Sequence, residues 1–170
     1  TARGTKKSDA VARQVEIITG RPVYLVHRLD RETAGLMLLA HTPAAAARLS
    51  RLFQQHLIEK HYLAEVKGRP EPPAGSIEKP LDGKAACTSY RLLDYDAISA
   101  KARLDVTIAG GRLHQIRRYL AAIGCPVIGD PRYGRGNKNL SGLRLMAVGL
   151  GFTCPFTGEW LEFSLAQTEF

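Results

Sequence analysis

The sequence has few cysteines and no long apolar segment, and each absence limits the class of protein. Cys87, Cys125 and Cys154 are its three cysteines; they lie far apart and form no CxxC pair. That spacing indicates neither a disulfide framework nor a cysteine zinc site. No apolar run reaches the length of a membrane span and no signal-peptide pattern is present, which favours a soluble, cytoplasmic protein.

Acidic residues are also scarce relative to basic ones. The 170 residues include 24 lysines and arginines against 16 aspartates and glutamates, for a formal net charge of +8. Such an excess is typical of proteins that bind a polyanion, because lysine and arginine release condensed counterions when they meet phosphates. Nucleic acid is therefore the favoured partner, and a generally basic soluble enzyme is the alternative.

Several motifs of phosphate and metal chemistry are incomplete. "HRLD" at 27–30 is similar to the kinase catalytic loop, but no glycine-rich loop or DFG accompanies it. "GRGNKNLSG" lacks the GxxxxGK[ST] spacing of a phosphate-binding loop. A metal-dependent nuclease would need clustered carboxylates. Only Asp30 and Glu32 lie close together, and the arginines beside them would repel a cation.

The pattern of apolar residues predicts one α+β domain over residues 1–170, with a mostly antiparallel mixed sheet flanked by helices. Helices are expected at about 9–19, from the Thr42-Pro43 cap onward, and over "HQIRRYLAAIG". "GRPEPPAGS" is expected to be a turn-rich connector. Strands are expected at "VYLVH", "GLMLLAH", "KHYLAEV", "CTSYRLLDY", "AKARLDVTI", "RLMAVGLGF" and "EWLEFSL", the first two of them buried.

Two residues of opposite charge are expected to lie at the edges of apolar elements. Asp30 follows the apolar run "VYLVH", and Arg117 lies beside Ile116 and Leu120, which share the core face of a helix. An arginine in that place needs an anionic partner or a phosphate, unless it belongs to a solvated helix face. We therefore predict a direct ion pair between Arg117 and Asp30 on the floor of a cleft.

Four segments, in order, resemble the signatures of the RluA-type RNA pseudouridine synthases. They are "HRLDRETAGLMLLA", "KHYLAEVKG", "GRLHQIRRYLAAIGCPVIGDPRYG" and "LRLMAVGLGFTCPFTGE". The chain departs from the family pattern at Ala34 (usually Ser), at Leu113 (usually Thr) and at Val148-Gly149 (often His-Ala). The family's first strand would precede Thr1, so the resemblance predicts a chain trimmed at its N-terminus.

The resemblance implies an enzyme that isomerises uridine to pseudouridine in transfer RNA or large-subunit ribosomal RNA. It implies a monomer that needs neither cofactor nor metal. Asp30 would be the attacking carboxylate, Arg117 the cation that keeps it ionised, and Tyr62 the aromatic that stacks on the uracil and moves a proton late. The alternative is an inactive RNA-binding module of the same fold, and the retention of all three residues argues against it.

The resemblance also implies a set of residues that contact the RNA. A stacked base must be extruded before it can react, and Arg28 is placed to enter the vacated space, although a plain phosphate contact is equally expected. Leu145 and Met146 would wall the uracil pocket. The remaining expected RNA contacts lie in the signatures and in the basic loop: His27, Arg112, His114, Gln115, Arg132, Arg135 and Lys138.

Overall fold

The computed structural model describes residues 7–134 and 141–165. These residues form three helices and nine strands. The helices are α1 (Lys7–Thr19), α2 (Pro43–Gln54) and α3 (Gln115–Ala122). The strands are β1 (Tyr24–Leu25), β2 (Ala34–Gly35), β3 (Leu39–Ala40), β4 (Glu59–Lys67), β5 (Ala74–Ile77), β6 (Thr88–Asp96), β7 (Lys101–Ile108), β8 (Leu145–Thr153) and β9 (Trp160–Ser164).

Seven of these strands form one mixed sheet. Its order is β2-β8-β4-β7-β6-β5, and β9 pairs with β8 beyond this path. All pairs are antiparallel except β2 with β8, which run parallel. The predicted α+β class and mostly antiparallel sheet are confirmed. Strands β1 and β3 form a separate two-stranded sheet.

The main core lies between the central strands and α3. Leu104 and Val106 of β7 are fully buried, and Ile116 and Leu120 of α3 belong to the same cluster of apolar side chains. This packing fixes the rotation of the short helix α3, because its apolar stripe must face the sheet. A second apolar cluster joins α2 to β8 and includes Leu49 of the helix.

The helix expected after Thr42 is present. Thr42 Oγ1 accepts a hydrogen bond from the Ala45 N–H at 3.1 Å, and Pro43 occupies the first helical turn. None of the helices in residues 7–134 and 141–165 combines the length and apolar character that crossing a membrane requires.

The segment from β1 to β3 differs from the prediction of two long buried strands. β1 has two residues, Tyr24 and Leu25, and both remain more than a third exposed. The second apolar run divides: Ala34 and Gly35 extend the large sheet beside β8, whereas Leu39 and Ala40 leave it to pair with β1. Apolar content alone does not show where such a run changes partners.

The predicted connector between β4 and β6 also contains more structure than expected. Residues 74–77 form β5, which pairs antiparallel with β6 at the edge of the large sheet. An edge strand needs only one neighbour, so a short segment rich in glycine and proline can still form one.

Candidate active site

A cleft opens where residues 28–33, strand β4 and the start of α3 meet. It holds roughly 480 Å³ of empty volume, part of it open to solvent. Asp30, Tyr62 and Arg117 all line it, so the fold brings together three residues that are distant in sequence. Five other residues expected to contact RNA also line the cleft: Arg28, Arg112, His114, Gln115 and Leu145.

Asp30 lies in a turn directly before β2. The Thr33 N–H donates to the Asp30 carbonyl at 3.0 Å, and the Asp30 side chain is 28% exposed. The Nε2 atom of His114 lies 4.0 Å from Asp30 Oδ2. The carboxylate is therefore neither fully buried nor free in solvent, and a ligand in the cleft can reach it.

Arg117 does not form the predicted direct ion pair with Asp30. Its Nε and Nη2 atoms donate to the two carboxylate oxygens of Asp130, each at 2.8 Å, and its Nη1 lies 3.6 Å from Glu32 Oε2. Both Arg117 and Asp130 are almost completely buried. The predicted partner is thus corrected to Asp130, while Asp30 faces the same cleft without a salt bridge to Arg117.

The physical reason is that backbone N–H groups also hold Asp130 in place. The backbone N–H groups of Arg132 and Tyr133 donate to Asp130 Oδ1 at 2.8 and 2.9 Å. Burial alone would raise the pKa of Asp130, but the hydrogen bonds from Arg117 and from these N–H groups outweigh it and hold that pKa below its ordinary value. A fixed, buried carboxylate satisfies the fork of a guanidinium in a way that a half-exposed loop residue does not.

One donor atom of Arg117 has no hydrogen bond. Nη1 is buried and makes none within the described part of the chain. The hydrogen bonds to Asp130 raise the pKa of Arg117, and the nearby charges of Asp30 and Glu32 act in the same direction. A permanent positive charge with a spare N–H therefore lies at the edge of the cleft.

Tyr62 occupies the middle of β4, opposite Val106 on one side and Ala147 on the other. Burial raises the pKa of Tyr62 to about 12, and the negative charge of Asp30 adds to the effect. The phenol therefore keeps its proton at neutral pH. It can act as a hydrogen-bond donor or a flat stacking surface in the cleft.

His114 starts α3 in the left-handed region, with φ of 52°. Its Nδ1 lies 3.1 Å from the hydroxyl of Tyr133, and the guanidinium of Arg117 lies 5.4 Å from the centre of the same ring. Tyr133 therefore connects the Asp130 loop to two residues of the cleft. Sequence reasoning did not select Tyr133, Asp130 or Glu32 as site residues, although Asp130 and Tyr133 both belong to the "GDPRYG" segment of the third signature.

Gln115 has a structural use that limits its availability to RNA. Its Nε2 donates to the Cys87 carbonyl at 2.8 Å and to Thr88 Oγ1 at 2.9 Å, and its Oε1 accepts from the Arg112 N–H. The Arg112 guanidinium donates to the Ala85 carbonyl through two nitrogens, each at 3.2 Å. Both residues line the cleft, but their polar atoms hold the start of α3 against β6 and the segment before it.

Leu145 and Met146 point to different sides of β8. Leu145 is buried and lines the cleft, whereas Met146 does not line it. Successive side chains of a strand face opposite sides of the sheet, so only the first of this pair can wall the pocket. The expected role of Met146 is therefore corrected.

The remaining expected RNA contacts lie outside the cleft or outside the described residues. Arg132 is exposed beside the cleft and its guanidinium lies 5.7 Å from the centre of the Tyr133 ring. Arg135 and Lys138 lie outside the described residues. His27 is half-buried, and its Nε2 accepts from the Leu38 N–H at 2.8 Å.

The described residues offer no metal site. Among residues 7–134 and 141–165, no three histidines, cysteines, aspartates or glutamates come together in a way that would hold an ion. The polar groups of the cleft are instead a carboxylate, a phenol, an imidazole and guanidinium groups, a set that suits proton transfer and the binding of an anionic ligand.

Comparison with known proteins identifies relatives over most of the chain. Residues 2–122 match the sequence pattern of the RNA pseudouridylate synthase family. An uncharacterized RNA pseudouridine synthase of Chloroflexus aurantiacus is 38% identical over 95% of the chain and 56% of its own length. The dual-specificity RNA pseudouridine synthase RluA of Escherichia coli is 34% identical over 81% of the chain and 70% of its own length.

These relatives differ in length and in compartment. The chain spans about half the length of several of them, for example 53% of an uncharacterized RNA pseudouridine synthase of Aquifex aeolicus. A relative in Arabidopsis thaliana, 32% identical over 82% of the chain, is chloroplastic by name. A cytoplasmic location for this chain stays a prediction.

Solved structures share the fold. Human RNA pseudouridylate synthase domain containing 4 superposes with a TM-score of 0.79 at 24% identity, over 97% of this chain and 80% of that one. Human RNA pseudouridylate synthase domain containing 1 gives a TM-score of 0.81 at 22% identity, over 98% and 78%. At these identities the likeness concerns the fold, including its mixed sheet.

Proposed function

Because the chain belongs to the RNA pseudouridylate synthase family that includes RluA, we propose that it isomerises uridine to pseudouridine in structured RNA. The observation that carries the proposal is the meeting of Asp30, Tyr62 and Arg117 in one cleft. All three lie within the residues that match the family. Their side chains supply an attacking carboxylate, a flat phenol and a fixed positive charge.

The reaction needs no co-reactant. The bond between uracil N1 and ribose C1′ breaks, the base turns, and a new bond forms between C5 and C1′. C5 loses its proton, N1 carries one in the product, and no atom or electron is gained or lost overall. Asp30 acts as the nucleophile, since it is the carboxylate of the cleft that a bound uridine can reach. The bond that it forms to the ribose or to the base breaks again when C5 joins C1′, so the carboxylate is regenerated.

Arg117 supports this carboxylate through its charge and its spare donor. Asp130 holds two of its nitrogens, and Nη1, which lies 3.6 Å from Glu32 Oε2 without a hydrogen bond, is the donor that can turn to Asp30 or to an oxygen of the bound nucleotide. A guanidinium that is already oriented loses little entropy when it takes up such a contact. Asp130, and not Asp30, therefore orients Arg117, and Arg117 still lines the cleft.

Tyr62 serves the base. Its ring provides a stacking surface for a uracil that has left the RNA helix, and base–aromatic stacking contributes about 1–3 kcal/mol. With its pKa raised to about 12 by burial and by the charge of Asp30, the hydroxyl keeps its proton and can donate a hydrogen bond to the turning base.

The charge and the names of the relatives support a proposal for the substrate class. The excess of lysine and arginine favours an RNA backbone as the partner, and Arg28 is exposed at the mouth of the cleft, where an extruded base must pass. Relatives of this chain carry names that refer to the ribosomal large subunit, as in Nitrosomonas europaea. We propose transfer RNA or large-subunit ribosomal RNA as the substrate of this chain, and a monomer as its active form.

The experiment that tests the function is the release of tritium from RNA labelled at C5 of uridine. Unmodified transcripts of transfer RNAs and of large-subunit ribosomal RNA domains would be incubated with the purified chain. Tritium should be released as C5 gives up its proton, and pseudouridine mapping in cells with and without the gene would identify the site. EDTA should not lower the rate once the RNA is folded.

Asp30→Asn is the matched variant, because the amide has nearly the same shape but cannot attack. Tritium release should fall below detection, while folding and RNA affinity stay close to those of the wild type. Turnover at the wild-type rate would remove Asp30 from its role. RNA binding by the wild type without any release would favour the inactive RNA-binding module instead.

A further inference from the structure

A second cavity adjoins the catalytic cleft on the side of α2. It holds roughly 860 Å³ of empty volume, part of it open to solvent. The walls that belong to it alone include His27, Phe53 and Gln54 of α2, and Lys60 of β4. The two cavities share four lining residues and so lie next to each other: Arg28, Tyr62, Ile108 and Gly111.

Lys60 is a buried cation without an acidic partner. It is 6% exposed, and its Nζ donates to the carbonyls of Gly110 at 2.6 Å and Ala109 at 3.3 Å. No carboxylate in residues 7–134 and 141–165 forms a salt bridge with it, and burial lowers the pKa of Lys60 to about 8. A buried charge without a counterion is costly, and an anion in the cavity would supply both the counterion and an acceptor for the third N–H.

His27 and Phe53 supply a flat surface beside this charge. Their rings are stacked, with centroids 4.2 Å apart and 17° between the planes. His27 Nε2 accepts the N–H of Leu38, so the neutral ring carries its proton on Nδ1. Burial and the charge of Lys60 lower the pKa of His27 to about 4, and the ring stays neutral at working pH.

Lys60 Nζ lies close to a residue that lines both cavities. A Cβ built on Gly111, which lines both of them, would lie 3.7 Å from Lys60 Nζ. The ammonium therefore lies at the boundary between the catalytic cleft and the second cavity. In a dinucleotide, the phosphate lies between the two nucleosides in the same way.

We propose that the second cavity binds the nucleotide adjacent to the target uridine, with its base against Phe53 and His27 and the linking phosphate at Lys60. Single-stranded RNA is recognised in this manner, by aromatic rings that stack on bases and by cations that contact the backbone. The inference rests on the proposed function, because it assumes that the uridine occupies the first cleft. It adds that the enzyme extrudes two consecutive nucleotides rather than one.

The first test separates a phosphate contact from a structural role of the lysine. Lys60→Met should weaken binding to the labelled transcripts about tenfold and reduce the slope of log Kd against log salt by about one. Lys67→Met is the control, since Lys67 is an exposed lysine at the far end of the same strand and lines neither cavity. An unchanged salt slope for Lys60→Met, or equal effects of the two variants, would overturn the proposal.

The second test does not depend on turnover or on the stability of a Lys60 variant. In the Asp30→Asn chain, the ring signals of Phe53 and His27 would be followed by NMR during addition of uridine or of hexauridylate. Hexauridylate should shift them and uridine should not, whereas both should shift the signals of Tyr62. If hexauridylate leaves Phe53 and His27 unshifted, the subsite is wrong, whether or not Tyr62 responds. A wild-type chain that releases no tritium would count against the proposed function instead, since this binding test is read without catalysis.

Discussion

Arg117 and Arg118 are neighbours in α3 that make the same type of contact in opposite surroundings. Arg117 holds Asp130 through two hydrogen bonds in the protein interior. Arg118 holds Asp82 through two hydrogen bonds of 2.9 and 3.2 Å at the surface. Water screens the exposed pair and does not screen the buried one. Although the two pairs have similar geometry, breaking the buried pair should therefore cost more stability.

Asp130→Asn should therefore lower stability and activity far more than Asp82→Asn. The amide cannot accept hydrogen bonds from both Nε and Nη2 of Arg117, and it leaves the Arg117 charge buried without its main partner. We expect a loss of about 3–5 kcal/mol in the free energy of unfolding, measured by urea denaturation, together with loss of tritium release. Asp82→Asn should change both very little, and similar effects of the two variants would contradict this view of Arg117.

At the residue scale, the sequence predicted which side chains meet but not how they are held. Asp30, Tyr62 and Arg117 line one cleft as the order of the signatures implied. The prediction that Arg117 pairs with Asp30 was wrong. The choice between two carboxylates depends on their burial and on nearby backbone N–H groups, such as those that fix Asp130. Neither the burial of a carboxylate nor its backbone hydrogen bonds can be deduced from the sequence alone.

Strand β2 is a short element whose position depends on a glycine. Gly35 has φ of 112°, and a Cβ on it would overlap the Ala147 carbonyl oxygen and lie 2.6 Å from Ala147 N. The pairing of β2 with β8 follows directly after the Asp30 turn. The close approach of two backbones therefore sets where Asp30 lies.

Gly35→Ala should separate β2 from β8 and displace the Asp30 turn. We expect a clear loss of stability and of tritium release, because backbone atoms cannot yield to a methyl group as a flexible side chain can. Gly124→Ala is the control: Gly124 also has a positive φ, of 79°, but nothing lies within 4 Å of its built Cβ. The Gly124→Ala variant should lose only about 1–2 kcal/mol in the free energy of unfolding, from backbone strain, and should keep the wild-type rate of tritium release. Thermal unfolding and the tritium assay would measure the two quantities.

His27 joins the Asp30 loop to the segment that leads into β3. Its Nε2 accepts the Leu38 N–H only while the ring is neutral. Burial and the charge of Lys60 lower the pKa of His27 from 6.5 to about 4. Between these two values the unfolded chain binds the proton and the folded chain does not, so stability falls as the pH falls.

His27→Gln should remove this part of the pH dependence. Between pH 6.5 and pH 4, the free energy of unfolding of the wild type should fall by on the order of 3 kcal/mol. The variant should not show this fall, because its amide does not titrate and its oxygen can still accept the Leu38 N–H. Urea denaturation across that range would measure the difference. His41→Gln removes a histidine from the same part of the chain and should retain the wild-type slope.

At the element scale, long elements followed the sequence and short ones did not. Strands β4 and β6 to β9 fall where alternation or continuous apolar runs predicted them, and α2 begins at the expected cap. β1, β2 and β3 have two residues each. Their limits are set by contacts with β8 and α2, which local pattern does not contain.

For the whole molecule, the large sheet places three sequence segments around one cleft. β8 pairs with both β2 and β4, which brings the Asp30 turn beside Tyr62, and α3 packs on the same sheet with Arg117. The exposed or partly exposed cations around the opening include Arg28, Arg112 and Arg132. A polyanion that approaches this face meets positive charge before it meets the carboxylate.

RNA binding should therefore weaken steeply as salt is added. Each phosphate that the chain neutralises releases condensed counterions, and this release is less favourable when the solution already contains salt. With a formal net charge of +8, we expect the Kd for the transcripts to rise on the order of tenfold or more between 50 and 200 mM salt. Filter binding with the Asp30→Asn chain, for which we expect no turnover, would measure it. A Kd that stays flat over this range would mean that base contacts and shape, and not the basic surface, hold the RNA.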